Sequence, residues 1–121
     1  MKHLILFSFL SFGLISVSFS QIKKIVTTKI NTPNAQCELC KTRIENYLKR
    51  YDGISFVQVN YKKKETVVKY ITDRINIEEI KTAIANTGYD ADDVEAAPDA
   101  YKRLPKSCKR AKDGGGHKPD N

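Results

Sequence analysis

Two cysteines, Cys37 and Cys40, stand three positions apart in the sequence. Thiolate sulfur is a soft ligand, which selects Cu(I), Zn(II), Cd(II) or Hg(II) over hard ions such as Mg(II). Two thiolates complete a near-linear site for Cu(I) or Hg(II), whereas a tetrahedral zinc site needs four ligands. The pair therefore predicts a site for a soft metal ion, with Cu(I) as the best match and Hg(II), Zn(II) or Cd(II) as alternatives.

A C-x-x-C pair also occurs in proteins that do other chemistry. In a thiol–disulfide redox protein, which is the main alternative, Cys37 would be the nucleophile. Haem attachment would need His at position 41, where the sequence has Lys41. A structural zinc ribbon would need a second C-x-x-C, which the sequence lacks. A metal-free disulfide in an oxidising compartment is a further alternative.

The third cysteine, Cys108, lies far from the pair in the sequence. Our hypothesis is that the chain folds back so that Cys108 supplies a third sulfur to the metal. The alternatives are an unpaired thiol in a tail or a disulfide to another chain. His117, in a glycine-rich stretch, is expected to be solvated rather than a ligand.

The elements that must position the cysteines follow from hydrophobic periodicity. Cys40 falls at or just inside the start of a predicted helix, where the helix dipole favours a thiolate. The predicted elements are strands at 22–30, 54–61, 65–71 and 89–96, and helices at 41–50 and between Asn76 and Gly88. This order predicts an α+β, ferredoxin-like βαββαβ sandwich, with a four-stranded antiparallel sheet and two helices on one face.

The N-terminus has the three-part layout of a secretory signal peptide. Met1-Lys2-His3 is basic, an apolar run follows, and Ser18-Phe19-Ser20 offers small residues before Gln21. We expect residues 1–20 to be removed on export, with the periplasm as the destination. A retained membrane anchor is the alternative. Residues 21–97 would then form the folded domain, and residues 98–121 a basic, largely flexible tail.

The chain carries a formal net charge of +7 over 121 residues. Removing residues 1–20 takes away one lysine and no acid, which leaves +6. Basic charge can indicate nucleic-acid binding, but an export signal argues against that class of partner. An acidic protein partner, steered by Lys41, Arg43 and other basic residues, fits better. Surface lysines that only keep the domain soluble are an equal alternative.

Several short motifs are distributed over the predicted elements. They are the loop 33–40 with its C-x-x-C, Ile44 and Leu48 in the first helix, Gly53-Ile54, Val59-Asn60, and Gly88-Tyr89 after the second helix. With these motifs, residues 22–96 resemble the heavy-metal-associated (HMA) domain, the family of small copper chaperones and periplasmic mercury-binding proteins. The resemblance implies a ferredoxin-like fold with both cysteines binding one soft metal ion near the surface.

The sequence departs from the family pattern just before the cysteines. Asn34 and Ala35 stand where the family usually has Gly-Met, and this change bears on loop geometry and on the preferred metal. Tyr89 falls where bacterial relatives have a tyrosine close to the metal loop. A partly buried aromatic residue at a helix end is an equal interpretation of Tyr89.

Together these features predict an exported protein without enzymatic activity that captures or transfers a soft metal ion. We expect it to be a monomer when metal-free. The partner would be a metal-transporting membrane protein or another metal-binding domain. A domain that binds metal only to report it is a further alternative.

Overall fold

The computed structural model describes residues 24–116, together with Gly13. The elements are β1 (Ile25–Asn31), α1 (Glu38–Leu48), β2 (Ile54–Asn60), β3 (Glu65–Ile71), α2 (Ile77–Asn86), α3 (Pro98–Lys102) and 3₁₀ turns at Lys106–Cys108 and Ala111–Asp113. The predicted signal peptide, apart from Gly13, the start of the predicted first strand and His117 lie outside the described residues. Among those described, every helix is too short or too polar to cross a membrane.

The three strands form one antiparallel sheet in the order β1-β3-β2. β3 is central, pairing with β1 from Ile25↔Ile71 to Asn31↔Glu65 and with β2 on its other side. Side chains alternate between faces along a strand, so Val57 and Val59 of β2 are buried while their neighbours are exposed. One face of the sheet therefore forms the core, and the hairpin predicted for β2 and β3 is present.

Helix α1 packs on β2 and against α2, and buried side chains of both helices join those of the strands in one core cluster. Cys40, Ile44 and Leu48 are fully buried, and their four-residue spacing puts them on one side of α1. The core stripe of α2 consists of Ile80, Ala83 and Ile84. Helix α1 begins at Glu38, three residues earlier than predicted, and this places Cys40 on the core-facing stripe.

The predicted fourth strand at 89–96 is not formed; within the described part of the chain the sheet has three strands. Instead, Ala91 and Val94 make an isolated bridge. Asp92 has a positive φ of 51°, which breaks an extended run, and Asp90 accepts a hydrogen bond from Ala96 N at 2.8 Å. Short acidic side chains thus bind the local backbone in place of a sheet ladder. The backbone of Asn31 in β1 is hydrogen-bonded to Asp92: its carbonyl accepts from Asp92 N, and its N–H donates to Asp92 Oδ1.

The region from residue 98 departs most from the expected flexible tail. Its described part, 98–116, forms α3 and the two 3₁₀ turns. Ala100, Leu104 and Cys108 are buried, and the last two belong to the core cluster. Because these apolar side chains have a place in the core, this segment packs against the domain. We call residues 98–116 the strap.

Candidate metal site

The loop before the cysteines is a tight turn anchored to the sheet. Ala35 N donates to Thr32 O at 3.1 Å, and Thr32 N donates to Lys64 O at 2.9 Å. The buried hydroxyls of Thr32 and Thr66 share a hydrogen bond at 2.9 Å. Ala35 is fully buried, so the small side chain at this position packs beneath the loop. These contacts fix where the chain enters α1.

Cys37 is the N-cap residue of α1, and Cys40 lies in its first turn. Cys37 has extended backbone angles (φ −154°, ψ 176°), and its side chain makes no capping hydrogen bond. Its carbonyl accepts from Lys41 N at 3.1 Å, which closes the first helical turn. The two sulfurs approach to 3.5 Å. Both cysteines therefore present sulfur beside helix N–H groups that no side-chain cap occupies.

The structure brings Cys108 to the same place, as the sequence-based hypothesis required. Cys108 Sγ lies 2.9 Å from Cys40 Sγ, and the three sulfurs lie within 4.8 Å of one another. Cys40 and Cys108 are fully buried, and Cys37 is 7% exposed. The resemblance implied a metal ion near the surface, whereas these sulfurs are buried and Cys108 of the strap packs against Cys40.

The thiols of Cys40 and Cys108 differ in acidity. Burial opposes ionisation of Cys40, but the Cys108 thiol, the nearby Tyr89 hydroxyl and the Gln36 backbone lower its pKa below the usual value. Burial, followed by the hydrogen bond with Cys40, raises the pKa of Cys108 to about 12. Of these two thiols, Cys40 is therefore the more acidic.

Tyr89 stands against the sulfurs, as the resemblance implied. The side chain is fully buried, and its hydroxyl has no hydrogen-bond partner of good geometry among the described residues. Burial and the neighbouring thiols of Cys108 and Cys40 raise its pKa well above the usual value. Tyr89 is thus a neutral donor aimed at the cysteine cluster.

A polar network joins the loop to the strap. Asn34 Nδ2 donates to Asp90 Oδ2 at 2.8 Å. Arg110 Nη2 donates to the same carboxylate, at 3.2 Å to Oδ1 and 3.1 Å to Oδ2. The sequence analysis identified neither Asp90 nor Arg110 as a site residue. These residues are 20 positions apart, and local periodicity carries no signal for such a contact.

The basic residues Lys41 and Arg43, which were expected to help steer the protein toward an acidic partner, both lie on α1. Lys41 Nζ lies 3.9 Å from Glu45 Oε1, one helical turn along α1. Glu45 also accepts from Val59 N at 3.1 Å. Lys41 is thus paired with Glu45 within α1, and the groups that lower the pKa of Cys40 are hydrogen-bonding groups around its sulfur. Arg43 is exposed on α1.

A ferredoxin-like domain with clustered thiols at a helix start is a soft-metal-binding module. The family model of the heavy-metal-associated domain matches residues 29–90, half of the chain. The chain therefore belongs to the heavy-metal-associated domain family, as its motifs predicted.

Relatives of this chain include copper chaperones. The copper chaperone CopZ of Staphylococcus haemolyticus is 29% identical over 66 residues, which span 54% of this chain and 97% of CopZ. A solved structure of a CopZ metallochaperone superposes with a TM-score of 0.53 at 27% identity, covering 55% of this chain and 98% of the other. Oxidized MerP from Ralstonia metallidurans, with a TM-score of 0.54 at 20% identity over 56% of this chain and 94% of MerP, shares the fold.

Proposed function

We propose that this protein binds Cu(I) through Cys37 and Cys40 and captures the ion or passes it on. The observation that carries this proposal is the approach of the two sulfurs to 3.5 Å at the uncapped start of α1. Thiolates suit Cu(I), and a site with few ligands leaves room for an incoming ligand. Hg(II), Zn(II) and Cd(II) are the competing ions.

Tyr89 supports a metal-bound thiolate as the occupant of this site. A buried hydroxyl without a partner costs about 1–3 kcal/mol. Metal binding deprotonates the cysteines, and a thiolate accepts hydrogen bonds better than a thiol does. The hydroxyl of Tyr89, buried without a partner of good geometry beside Cys40 and Cys108, would gain an acceptor when the ion binds.

Transfer by ligand exchange fits the relatives that are named copper chaperones. The partner would present its own thiolates, either on a metal-transporting membrane protein or on another metal-binding domain. The ion is then cargo, and the protein is a carrier rather than an enzyme. The basic surface would steer the carrier toward an acidic partner.

A redox function has less support than metal binding. Attack on a disulfide requires an accessible thiolate. Cys40, whose pKa is lowered, is fully buried, and Cys37 is only 7% exposed. A metal-free insulin reduction assay separates the two functions, because a carrier should give the uncatalysed rate.

We also infer that the protein acts outside the cytoplasm, in the periplasm, as residues 1–20 suggest. N-terminal sequencing of the exported protein should begin at Gln21. A chain that keeps Met1 and sediments with membranes would instead indicate an anchored form.

Anaerobic titration tests the metal site directly. Reduced wild-type chain should bind one Cu(I) in competition with a chromogenic Cu(I) chelator, and the Cys37→Ser/Cys40→Ser double variant should leave all Cu(I) on the chelator. Retained one-to-one binding by the double variant would remove this pair from the site. Metal analysis of protein isolated under reducing, oxygen-free conditions then identifies the ion.

A further inference from the structure

We propose that Cys108 is the third thiolate ligand of the metal and that the strap is its removable cover. With the strap closed, three sulfurs would hold the ion, and with the strap open, Cys37 and Cys40 alone would present it for transfer. This inference rests on the proposed function and specifies how its site is regulated.

The sulfur positions suit three-coordinate binding. A metal–sulfur bond of about 2.3 Å places three sulfurs roughly 4 Å apart around one ion in a trigonal plane. The three sulfurs here already lie within 4.8 Å of one another, with neighbouring separations of 2.9 and 3.5 Å. An ion would therefore need shifts of about 1 Å, which side-chain rotation supplies.

Apolar packing places the strap over the site. Leu104 is 4% exposed and seats against Gly88. Gly88 has a φ of +105°, and a Cβ there would lie 2.9 Å from Leu104 Cγ. Glycine at this position thus allows both the backbone turn and the close approach of the strap. Cys108 follows four residues after Leu104 and is fully buried.

Polar contacts also join the strap to the loop that precedes Cys37. Gln36, the residue before Cys37, donates from Nε2 to Lys109 O at 3.1 Å. Arg110 binds Asp90, which also binds Asn34 of the loop. Lys109 and Arg110 directly follow Cys108, so both contacts fasten the residues beside its sulfur. These polar contacts are only partly buried, so they are weaker than the core packing of Leu104 and Cys108 and easier to open.

Charge also favours the strap as a cover for thiolates. Residues 98–116 contain six Lys/Arg and two Asp, a net charge of +4, whereas residues 24–97 contain twelve Lys/Arg and eleven Asp/Glu, a net charge of +1. Three thiolates around one Cu(I) leave two negative charges uncompensated. The basic strap, which contains Cys108, would therefore place positive charge near this negative site.

X-ray absorption at the copper edge tests the ligand directly. The full chain loaded with Cu(I) alone should show three sulfur neighbours, and Cys108→Ser should show two. In chelator competition, Cys108→Ser should bind Cu(I) about tenfold more weakly or worse. The control is Ser107→Ala, which should match wild type in both measurements. Two sulfurs in wild type, or equal affinity in Cys108→Ser, would overturn the third ligand.

A second variant tests the cover without removing a sulfur. Arg110→Ala loses the contact with Asp90 but keeps Cys108, and Lys112→Ala, on an exposed side chain of the same segment, is its matched control. Cu(I) should pass to excess chelator several-fold faster from Arg110→Ala than from wild type or Lys112→Ala. Equal rates in all three would contradict the opening of the strap.

The outcomes separate this inference from the proposed function. If wild type binds no Cu(I), the proposed function fails. If wild type and Cys108→Ser bind equally through two sulfurs while Cys37→Ser/Cys40→Ser does not bind, only the strap inference fails.

Discussion

Helices α1 and α2 are nearly equal in length and begin with the same backbone geometry, yet their first turns differ in chemistry. Both N-cap residues, Cys37 and Asn76, have extended φ and ψ angles. Asn76 Oδ1 accepts from Glu79 N at 2.8 Å, whereas the side chain of Cys37 makes no such bond. The first turn of α2 is therefore capped by a side chain, and the first turn of α1 is not.

The absence of a side-chain cap affects which groups the start of α1 can bind. A good N-cap contributes about 1 kcal/mol, and α1 forgoes it. Its N-terminal N–H groups therefore stay available to negative charge, such as that of the thiolates in the proposed metal site. The stability of α1 therefore depends on the core stripe of Cys40, Ile44 and Leu48. Three measurements on two substitutions, Cys37→Ser and Asn76→Ala, test this comparison.

The largest effect is expected for metal binding when α1 receives a better cap. Cys37→Ser puts a capping hydroxyl at the start of α1 and removes one thiolate. Loss of a second-shell partner weakens metal sites by about 10–100-fold, so loss of a ligand should weaken Cu(I) binding by more than about a hundredfold. Chelator competition measures it. Asn76→Ser, the same residue at the start of α2, is the control and should bind as wild type does.

The next effect concerns α2. Asn76→Ala removes the cap and should lower the free energy of unfolding by about 1 kcal/mol. Urea denaturation of the metal-free, reduced protein measures this loss. Asn76→Asp, which keeps a capping oxygen, should stay close to wild type. An unchanged midpoint in Asn76→Ala would mean that the two helix starts contribute equally despite their different side chains.

The smallest expected effect is a gain in stability when α1 receives a cap. Without metal and under reducing conditions, Cys37→Ser should raise the free energy of unfolding by about 0.5 kcal/mol, because serine caps a helix and cysteine does not. The same urea experiment detects it as a higher midpoint. A lower midpoint would indicate that the Cys37 sulfur stabilises the metal-free domain by packing.

Local patterns were sufficient to predict much of this fold. The β-branched runs predicted the hairpin of β2 and β3, and Asn76 marked the start of α2 because a cap is a short-range interaction. The C-x-x-C motif identified Cys37 and Cys40 as the candidate ligands. These features depend on residues within a few positions of one another.

Long-range contacts leave less signal in the sequence, which led to the hypothesis that Cys108 folds back to the pair but did not indicate the ordered strap that carries it. Cys40 and Cys108 are 68 positions apart, and only the folded strap brings their sulfurs together. The sequence does contain a faint signal, since Ala100, Leu104 and Cys108 are spaced by four and all are buried. Pro105 interrupts that spacing, because a helix does not continue through proline. The missing fourth strand likewise follows from the bond between Asp90 and Ala96 N.

Asp90 connects the loop before the cysteines to the strap, so it could link metal binding to strap closure. Its carboxylate touches the loop through Asn34 and the strap through Arg110. In the proposed mechanism, an ion that fixes the loop also favours the closed strap, and by thermodynamic reciprocity a closed strap raises the affinity for the ion by the same factor. In this mechanism, a partner protein that displaces the strap would lower the affinity of this protein for the ion before the partner binds the metal.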